Sequence, residues 1–217
     1  ATTFIAGGGG PSMNATTFAQ TPAFALPFTI QGGSAITITN FITLTNGSLS
    51  ATPAITATLK TNGVNFLTLA SPTYTAASNM LVWSGVLGGN LTIPAGAVIS
   101  YIISNGVAGT AFHVNYDSTT APSKITLPTT TVIAVNTFGI YDAPYPGGSL
   151  VTTPVAGSTL YVRAKVSDPF GAYDITSLDL TFTAPDTNDN FNASLNDASV
   201  VASDAASKTY EYVWNTG

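Results

Sequence analysis

The sequence has 217 residues, of which 45% are hydrophobic and only 7% charged, with a formal net charge of −5 and no cysteine. That apolar share supports a real core and excludes a disordered chain, which would be poor in apolar residues and rich in charge. Five basic side chains leave no Lys/Arg footprint for nucleic acid or an anionic membrane surface, the lack of Cys excludes disulfides and thiolate metal sites, and no run of about 18 apolar residues marks a membrane-spanning helix.

Soluble proteins carry roughly 25% charged residues; here Thr, Ser, Asn and Gly supply the polarity instead. The charge is unevenly placed. From Ala1 to Tyr116 the only charged side chain is Lys60, and all ten acidic residues lie from Asp117 onward. At about 100–150 residues per domain, the length suits one large or two small domains. The chain begins Ala1-Thr2-Thr3-Phe4, with neither an initiator Met nor a basic–apolar leader, and reads as a mature or excised segment.

Taken in order, the residues spell strands and turns. Thr, Val, Ile, Phe and Tyr are common and helix formers scarce, a bias suited to pleated, half-buried surfaces. After Gly7-Gly8-Gly9-Gly10-Pro11, strands are predicted at Phe24–Ile30 and Ala35–Thr45. In the second, Ile36, Ile38, Asn40, Ile42 and Leu44 share one parity and Thr37, Thr39, Phe41, Thr43 and Thr45 the other. Asn46-Gly47 is a turn. Ile55–Lys60 and Val64–Leu69 flank Thr61-Asn62-Gly63 as a hairpin. Further strands are expected at Met80–Leu87, Leu91–Pro94, Val98–Ser104 and Thr110–Tyr116, with a turn at Ser104-Asn105-Gly106, and Ile125–Val135 holds the next strand and the passage into the second domain. The domain boundary falls near Val132 to Asn136. Beyond it, Phe138–Tyr141 and Leu150–Val155 are weaker strand candidates. Strands follow at Thr159–Ser167, Thr176–Thr183, Ala198–Ala202 and Thr209–Trp214, with a break at Asp168-Pro169-Phe170-Gly171, where Pro removes a ladder donor and Gly permits positive φ.

The expected fold is all-β: two tandem immunoglobulin-like β-sandwich domains, residues 1–133 and 134–217. The second holds four convincing strands and two weak ones, against about seven in a complete immunoglobulin-like sandwich. Either the parent chain continues, or a strand from another chain completes the sheet; an open apolar edge left unpaired is an aggregation hazard.

The stretch from Gly157 to Thr176, with Leu160-Tyr161-Val162-Arg163-Ala164-Lys165-Val166-Ser167-Asp168-Pro169-Phe170-Gly171 at its centre, resembles a recurrent module of very large secreted or cell-surface bacterial proteins built from strings of immunoglobulin-like sandwiches. Thr209-Tyr210-Glu211-Tyr212-Val213-Trp214 is similar to that module's aromatic strand. Thr110–Thr120 and Leu127–Ile133 resemble the module that precedes it. A Gly-x-Tyr strand usually follows in such modules and is not in this sequence. The resemblance implies an extracellular, non-enzymatic role in structure, adhesion or fibre building, on a bacterial surface or in secreted filaments. It implies partners that are copies of the same protein or its neighbouring domains, and it transfers no catalytic residue.

Several residues stand out as candidates for chemistry. His113, the only histidine, lies between Phe112 and Val114; a triad would need a nucleophile and a carboxylate beside it, and an ordinary strand histidine is the better reading. Asp186-Thr187-Asn188-Asp189-Asn190 resembles the calcium linker of cadherins. Asp186, Asn188, Asp189 and Asn190 therefore stand as candidate calcium ligands, against the alternative of a plain Asx-rich turn. No other cofactor is expected. Asp142, Asp168 and Asp174 suggest a second carboxylate cluster, or turn caps. Trp83, Trp214, Tyr74, Tyr141 and Tyr145 would serve a carbohydrate-binding module as flat faces with polar edges. Core packing is the stronger expectation for both Trp residues, and Tyr141 and Tyr145 are placed at the joint between domains. Paired Thr-x-Thr positions are irregularly spaced, as expected of outward-facing strand threonines. The expectation is a protein that is not an enzyme: a secreted structural module in which strand complementation joins subunits, with glycan binding as the alternative.

Overall fold

A computed structural model describes residues 2–5, 14–116, 120–129, 133–183 and 190–216. Among them the regular structure is strand, with 3-10 turns at Ala172–Asp174 and Asp197–Ser199, and no helix is long and apolar enough to cross a membrane. The chain divides into two compact units: residues 1–23 with 28–130, and residues 24–27 with 131–217.

The first unit holds β1 (Thr2–Ile5), β2 (Asn14–Ala19), β3 (Phe28–Ile30), β4 (Ala35–Asn46), β5 (Ile55–Thr61), β6 (Val64–Ala70), β7 (Thr73–Thr75), β8 (Met80–Val86), β9 (Leu91–Ile93), β10 (Ile99–Asn105), β11 (Ala111–Asn115) and β12 (Lys124–Thr126). One sheet runs β1-β11-β4-β8-β7, with β12 also on β4; a second runs β2-β10-β5-β6; β3 and β9 form a ribbon. All pairings are antiparallel.

The predicted parity of β4 is the observed one. Ile36, Ile38, Asn40 and Ile42 are buried, and Thr37, Thr39 and Phe41 are half-buried on the other face. Leu81 and Trp83 of β8, Phe112 and Val114 of β11, and Ile55, Ala57, Leu59 and Ile103 of the second sheet are buried as well. Each such side chain contributes roughly 1.5–3 kcal/mol by leaving water. The Trp83 indole N–H crosses the layers to donate to the Ile55 carbonyl at 3.3 Å. Two antiparallel sheets with a shared apolar interior are consistent with a β-sandwich.

The β5–β6 hairpin closes as expected on Asn62-Gly63, both at positive φ (48° and 82°). This is the geometry of a two-residue turn whose twist matches that of the strands. Elsewhere the expectation is corrected. The strand over Phe24–Ile30 shrinks to Phe28–Ile30. The strand expected within Ile125–Val135 is Lys124–Thr126, with Pro128 after it and an isolated bridge from Thr129 to Ile30. Asn105 is the last residue of β10 and fully buried; it holds the following turn by accepting from Val107 N–H and donating to the Thr110 carbonyl.

The second unit holds β13 (Ala134–Tyr141), β14 (Thr159–Ser167), β15 (Leu178–Phe182), β16 (Phe191–Leu195), β17 (Val200–Ser203) and β18 (Ser207–Asn215). A four-stranded sheet runs β13-β14-β18-β17, and among the described residues β15 pairs only β16. Strand β14 has the predicted bounds. Leu160, Val162, Ala164 and Val166 are buried, and Val162 and Val166 join Tyr210, Ile175, Leu180 and Leu195 in one core cluster. The Asp168 carboxylate ends the strand by accepting from Phe170 N–H at 2.8 Å, and Gly171 takes φ 129°.

Phe24–Pro27 lies with this unit: Phe24 is buried edge-on to Phe170 at 5.3 Å, and Ala25 N–H donates to the Pro169 carbonyl. Leu150–Val155 is not a strand; only Leu150 bridges, to Tyr141. Phe191–Leu195, unexpected from sequence, is one.

Candidate functional site

The outward face of β14 carries Tyr161, Arg163 and Lys165. Arg163 sits opposite Glu211 of β18 on one side and Gly139 of β13 on the other. They are the only arginine and the only glutamate in the chain. The Arg163 Nε donates to Glu211 Oε2 at 2.6 Å, with both side chains 9% exposed. Burying a charge is tolerated only when it is paired and hydrogen-bonded, and the rest of this cluster supplies those bonds. Arg163 Nη2 donates to the Ala143 carbonyl at 2.5 Å, and Glu211 Oε2 also accepts from Tyr145 N–H at 2.9 Å.

The pair thereby fastens the loop between Asp142 and Ser149 onto the sheet. Within that loop Asp142 Oδ1 accepts from Ser149 N–H at 2.7 Å. The guanidinium lies 4.2 Å from the Tyr141 ring centroid and 5.5 Å from that of Tyr145, a cation–π arrangement. Gly139 makes room for Leu150 and the Tyr141 ring: a Cβ there would lie 2.7 Å from Leu150 Cδ1 and 3.1 Å from the Tyr141 ring.

Beside this clamp opens a cleft of about 370 Å³ bounded by Tyr145, Tyr141, Lys165, Asp204, Thr137 and Thr209. Its far end is built by a tight turn. Asp204 Oδ1 accepts from Ala206 and Ser207 N–H, and Oδ2 accepts from the Ser207 hydroxyl at 2.7 Å. These bonds, the Ser207 hydroxyl foremost, bring the Asp204 carboxyl down to about 2. Lys165 Nζ approaches Oδ2 at 3.4 Å, with both side chains largely exposed. A second opening, of about 460 Å³, shares Thr137, Lys165, Asp204 and Ser207 and extends the cleft toward Ser167 and Leu26.

The other face of the sheet has a different opening. Between β13 and β15 lies an apolar cleft of about 430 Å³, lined by Phe138, Ile140, Val162, Leu180, Phe182 and Trp214. Phe138 is 62% exposed and Val135 60%. At its end Phe182 stacks on Phe191 (4.3 Å) and tilts against Trp214 (5.3 Å). Among the described residues β15 pairs on one side only.

The residues singled out from sequence fare unevenly. His113 lies half-buried in β11, in register between Phe4 of β1 and Thr43 of β4. Trp83 is core, as expected. Trp214 is only half-buried and rims the apolar cleft. Tyr74 donates its hydroxyl to Asn79 Oδ1. Tyr141 and Tyr145 come together over Arg163, a partner the sequence reading did not assign them.

Of the calcium candidates, Asp186, Asn188 and Asp189 lie outside the described residues, and Asn190 is exposed just before β16. Asp142 and Asp168 act as turn caps and Asp174 is exposed. Among the described residues no three acidic or His side chains gather as a metal site.

Sequence reasoning missed the Arg163–Glu211 clamp. The available signal was rarity: a lone Arg and a lone Glu, each at an outward position of a strong strand. No family model matches the chain, and no solved structure matches it.

Proposed function

We propose that this chain is a non-catalytic structural module of a secreted bacterial surface or filament protein. In this reading it consists of two tandem immunoglobulin-like sandwiches, residues 1–133 and 134–217, and joins another copy by strand addition along the outer edge of β15. The observation that carries the reading is the apolar cleft between β13 and β15, with Phe138 and Val135 exposed beside a strand whose outer edge has no partner among the described residues. Added strands gain main-chain hydrogen bonds from such an edge and place alternate side chains in the groove beneath. The low charge supports close packing of many copies, since self-repulsion is small. The charged pairs support a structural role as well: Arg163–Glu211 fastens a loop, and Lys208 ties Asp197 to the Ile175 carbonyl.

The test is solution mass and electron microscopy of the 217-residue chain over rising concentration, beside Phe138→Lys. The exposed Phe138 contributes little to the isolated fold, so the variant should change unfolding by no more than about 0.5 kcal/mol. Wild type should form strings or oligomers and Phe138→Lys should not. A wild type that stays monomeric at every concentration overturns the assembly reading.

A further inference from the structure

We infer that the outward cleft between Tyr145 and Asp204 is a binding site for an uncharged saccharide. The inference goes beyond the structural role and does not depend on it, because the cleft is on the face of the four-stranded sheet opposite the apolar one.

Four observations converge on that ligand class. The first is size and shape. The cleft holds about 370 Å³ and continues into a second opening through shared residues, within the roughly 300–1,000 Å³ range of small-molecule sites. It follows β14 from Arg163 toward Ser167, which suits an extended oligomer better than a compact one. A peptide has no strand edge to pair with here, because the cleft lies on a sheet face, where side chains alone are presented.

The second is charge balance. Arg163 is neutralised by Glu211, and Lys165 faces Asp204. The cleft therefore offers no surplus cation for a phosphate or uronate and no surplus anion for an amine.

The third is the kind of polar group offered. Thr137 and Thr209 supply hydroxyls, Lys165 supplies up to three N–H donors, and Asp204 supplies acceptor lone pairs. Vicinal sugar hydroxyls, each donor and acceptor at once, match such a mixture. The 3.4 Å separation of Lys165 and Asp204 is long for a hydrogen bond, so a ligand hydroxyl can bridge them without breaking a strong contact.

The fourth is preorganisation. Tyr145 is 43% exposed, yet its backbone is fastened by Glu211 and its ring stands beside Arg163. A flat aromatic held open to solvent offers its apolar face to the C–H side of a sugar ring, and fixing it beforehand cuts the ordering cost of binding. Asp204 is likewise fixed by three hydrogen bonds from its own turn.

The experiment is a backbone-amide NMR titration of the full chain with cellotetraose, chitotetraose, maltotetraose and xylotetraose, and with tri-galacturonate as the acidic control. Each is taken to about 10 mM, ten times a millimolar Kd. At least one neutral oligosaccharide should shift the amides of Tyr145, Lys165, Asp204 and Thr209 saturably. Tyr145→Ala should weaken that binding by about tenfold or more while leaving the thermal midpoint in place, and Phe138→Lys should not alter it. The proposal is overturned if no neutral sugar gives saturable shifts, if tri-galacturonate binds more tightly than all of them, or if Tyr145→Ala leaves binding unchanged.

Discussion

The two units satisfy their polar groups with different chemistry. In the first, the only charged side chains among the described residues are Lys60 and Lys124. Its interior polarity is neutral: Trp83 donates to Ile55, the Thr110 hydroxyl to the Ser48 carbonyl, and the Tyr101 hydroxyl to Asn40 Oδ1. In the second, all three ion pairs found among the described residues are gathered, and one of them is nearly buried. The sheets differ too. Among the described residues the first unit has a six-stranded and a four-stranded sheet, whereas the second has four strands and a separate pair and leaves an apolar cleft. A neutral amide can be buried half-satisfied at a cost of about 1–3 kcal/mol. A buried charge cannot be left unmatched, so the second unit concentrates its vulnerability in one pair.

The sharpest way to break that contrast is to remove one member of the pair. Glu211→Ala leaves the Arg163 guanidinium buried without its carboxylate and frees Tyr145 N–H. The expected loss is about 3–5 kcal/mol in denaturant unfolding. The double variant Arg163→Met/Glu211→Leu removes both charges and keeps apolar volume. It should recover most of the loss, because replacing a buried pair by well-packed apolar side chains is often neutral. If the double variant is as unstable as the single one, the clamp stabilises through its loop contacts rather than through charge compensation.

The neutral network of the first unit is expected to yield less. Asn40 is fully buried, its Oδ1 accepts from Tyr101 at 3.0 Å, and its Nδ2 has no partner. Tyr101→Phe leaves the amide oxygen unmatched as well and should cost about 1–3 kcal/mol. Adding Asn40→Leu removes both orphaned atoms and should restore stability. Burial also pushes the Tyr101 phenol up to about 12, against a smaller lowering by Asn40. A raised folded value means the neutral phenol is the form the fold favours. Its contribution is therefore complete below about 10, where the unfolded tyrosine begins to ionise, and is lost as pH rises toward 12. Ultraviolet titration should show a late-ionising tyrosine component, to which the buried Tyr210 also contributes, that shrinks by one residue in Tyr101→Phe.

What the sequence disclosed follows the same physics. Strands with one wet and one dry face were readable because period two appears in the letters: Ile36, Ile38, Asn40 and Ile42 in β4, and Leu160 through Val166 in β14. The Asn62-Gly63 turn was readable because it needs positive φ at both positions.

Strands β2 and β16 were not readable. Asn-Ala-Thr-Thr-Phe-Ala and Phe-Asn-Ala-Ser-Leu carry small polar residues that suit loops equally well, and only pairing with β10 and β15 makes them strands. Phe24 has strand-like neighbours, but Pro22 and Pro27 break the ladder, and its ring packs on Phe170, more than a hundred residues away in sequence. The clamp was hidden for the same reason: Arg163 and Glu211 are 48 residues apart, and only the β14–β18 register brings them face to face. The calcium candidates around Asp186 fall largely outside the described residues, so that reading stands as it began.

The smallest expected effect concerns Asp204, the exposed counterpart of Glu211. Its carboxyl is held at about 2 chiefly by the Ser207 hydroxyl and the Ala206 N–H, with Lys165 a minor contributor. A lowered folded value means that the ionised form is the one the fold favours. The contribution is complete above the unfolded value of about 3.9 and disappears as pH falls toward 2. Carboxyl-carbon NMR should therefore find Asp204 titrating below the ordinary aspartate range. In Lys165→Met that midpoint should barely move, and in Ser207→Ala it should rise the most, because the hydroxyl is the leading cause. A larger rise in Lys165→Met than in Ser207→Ala would mean that the ion pair, not the turn, fixes the carboxylate. The Glu211 and Asp204 sites would then differ in burial alone, and not in whether charge or hydrogen bonding organises them.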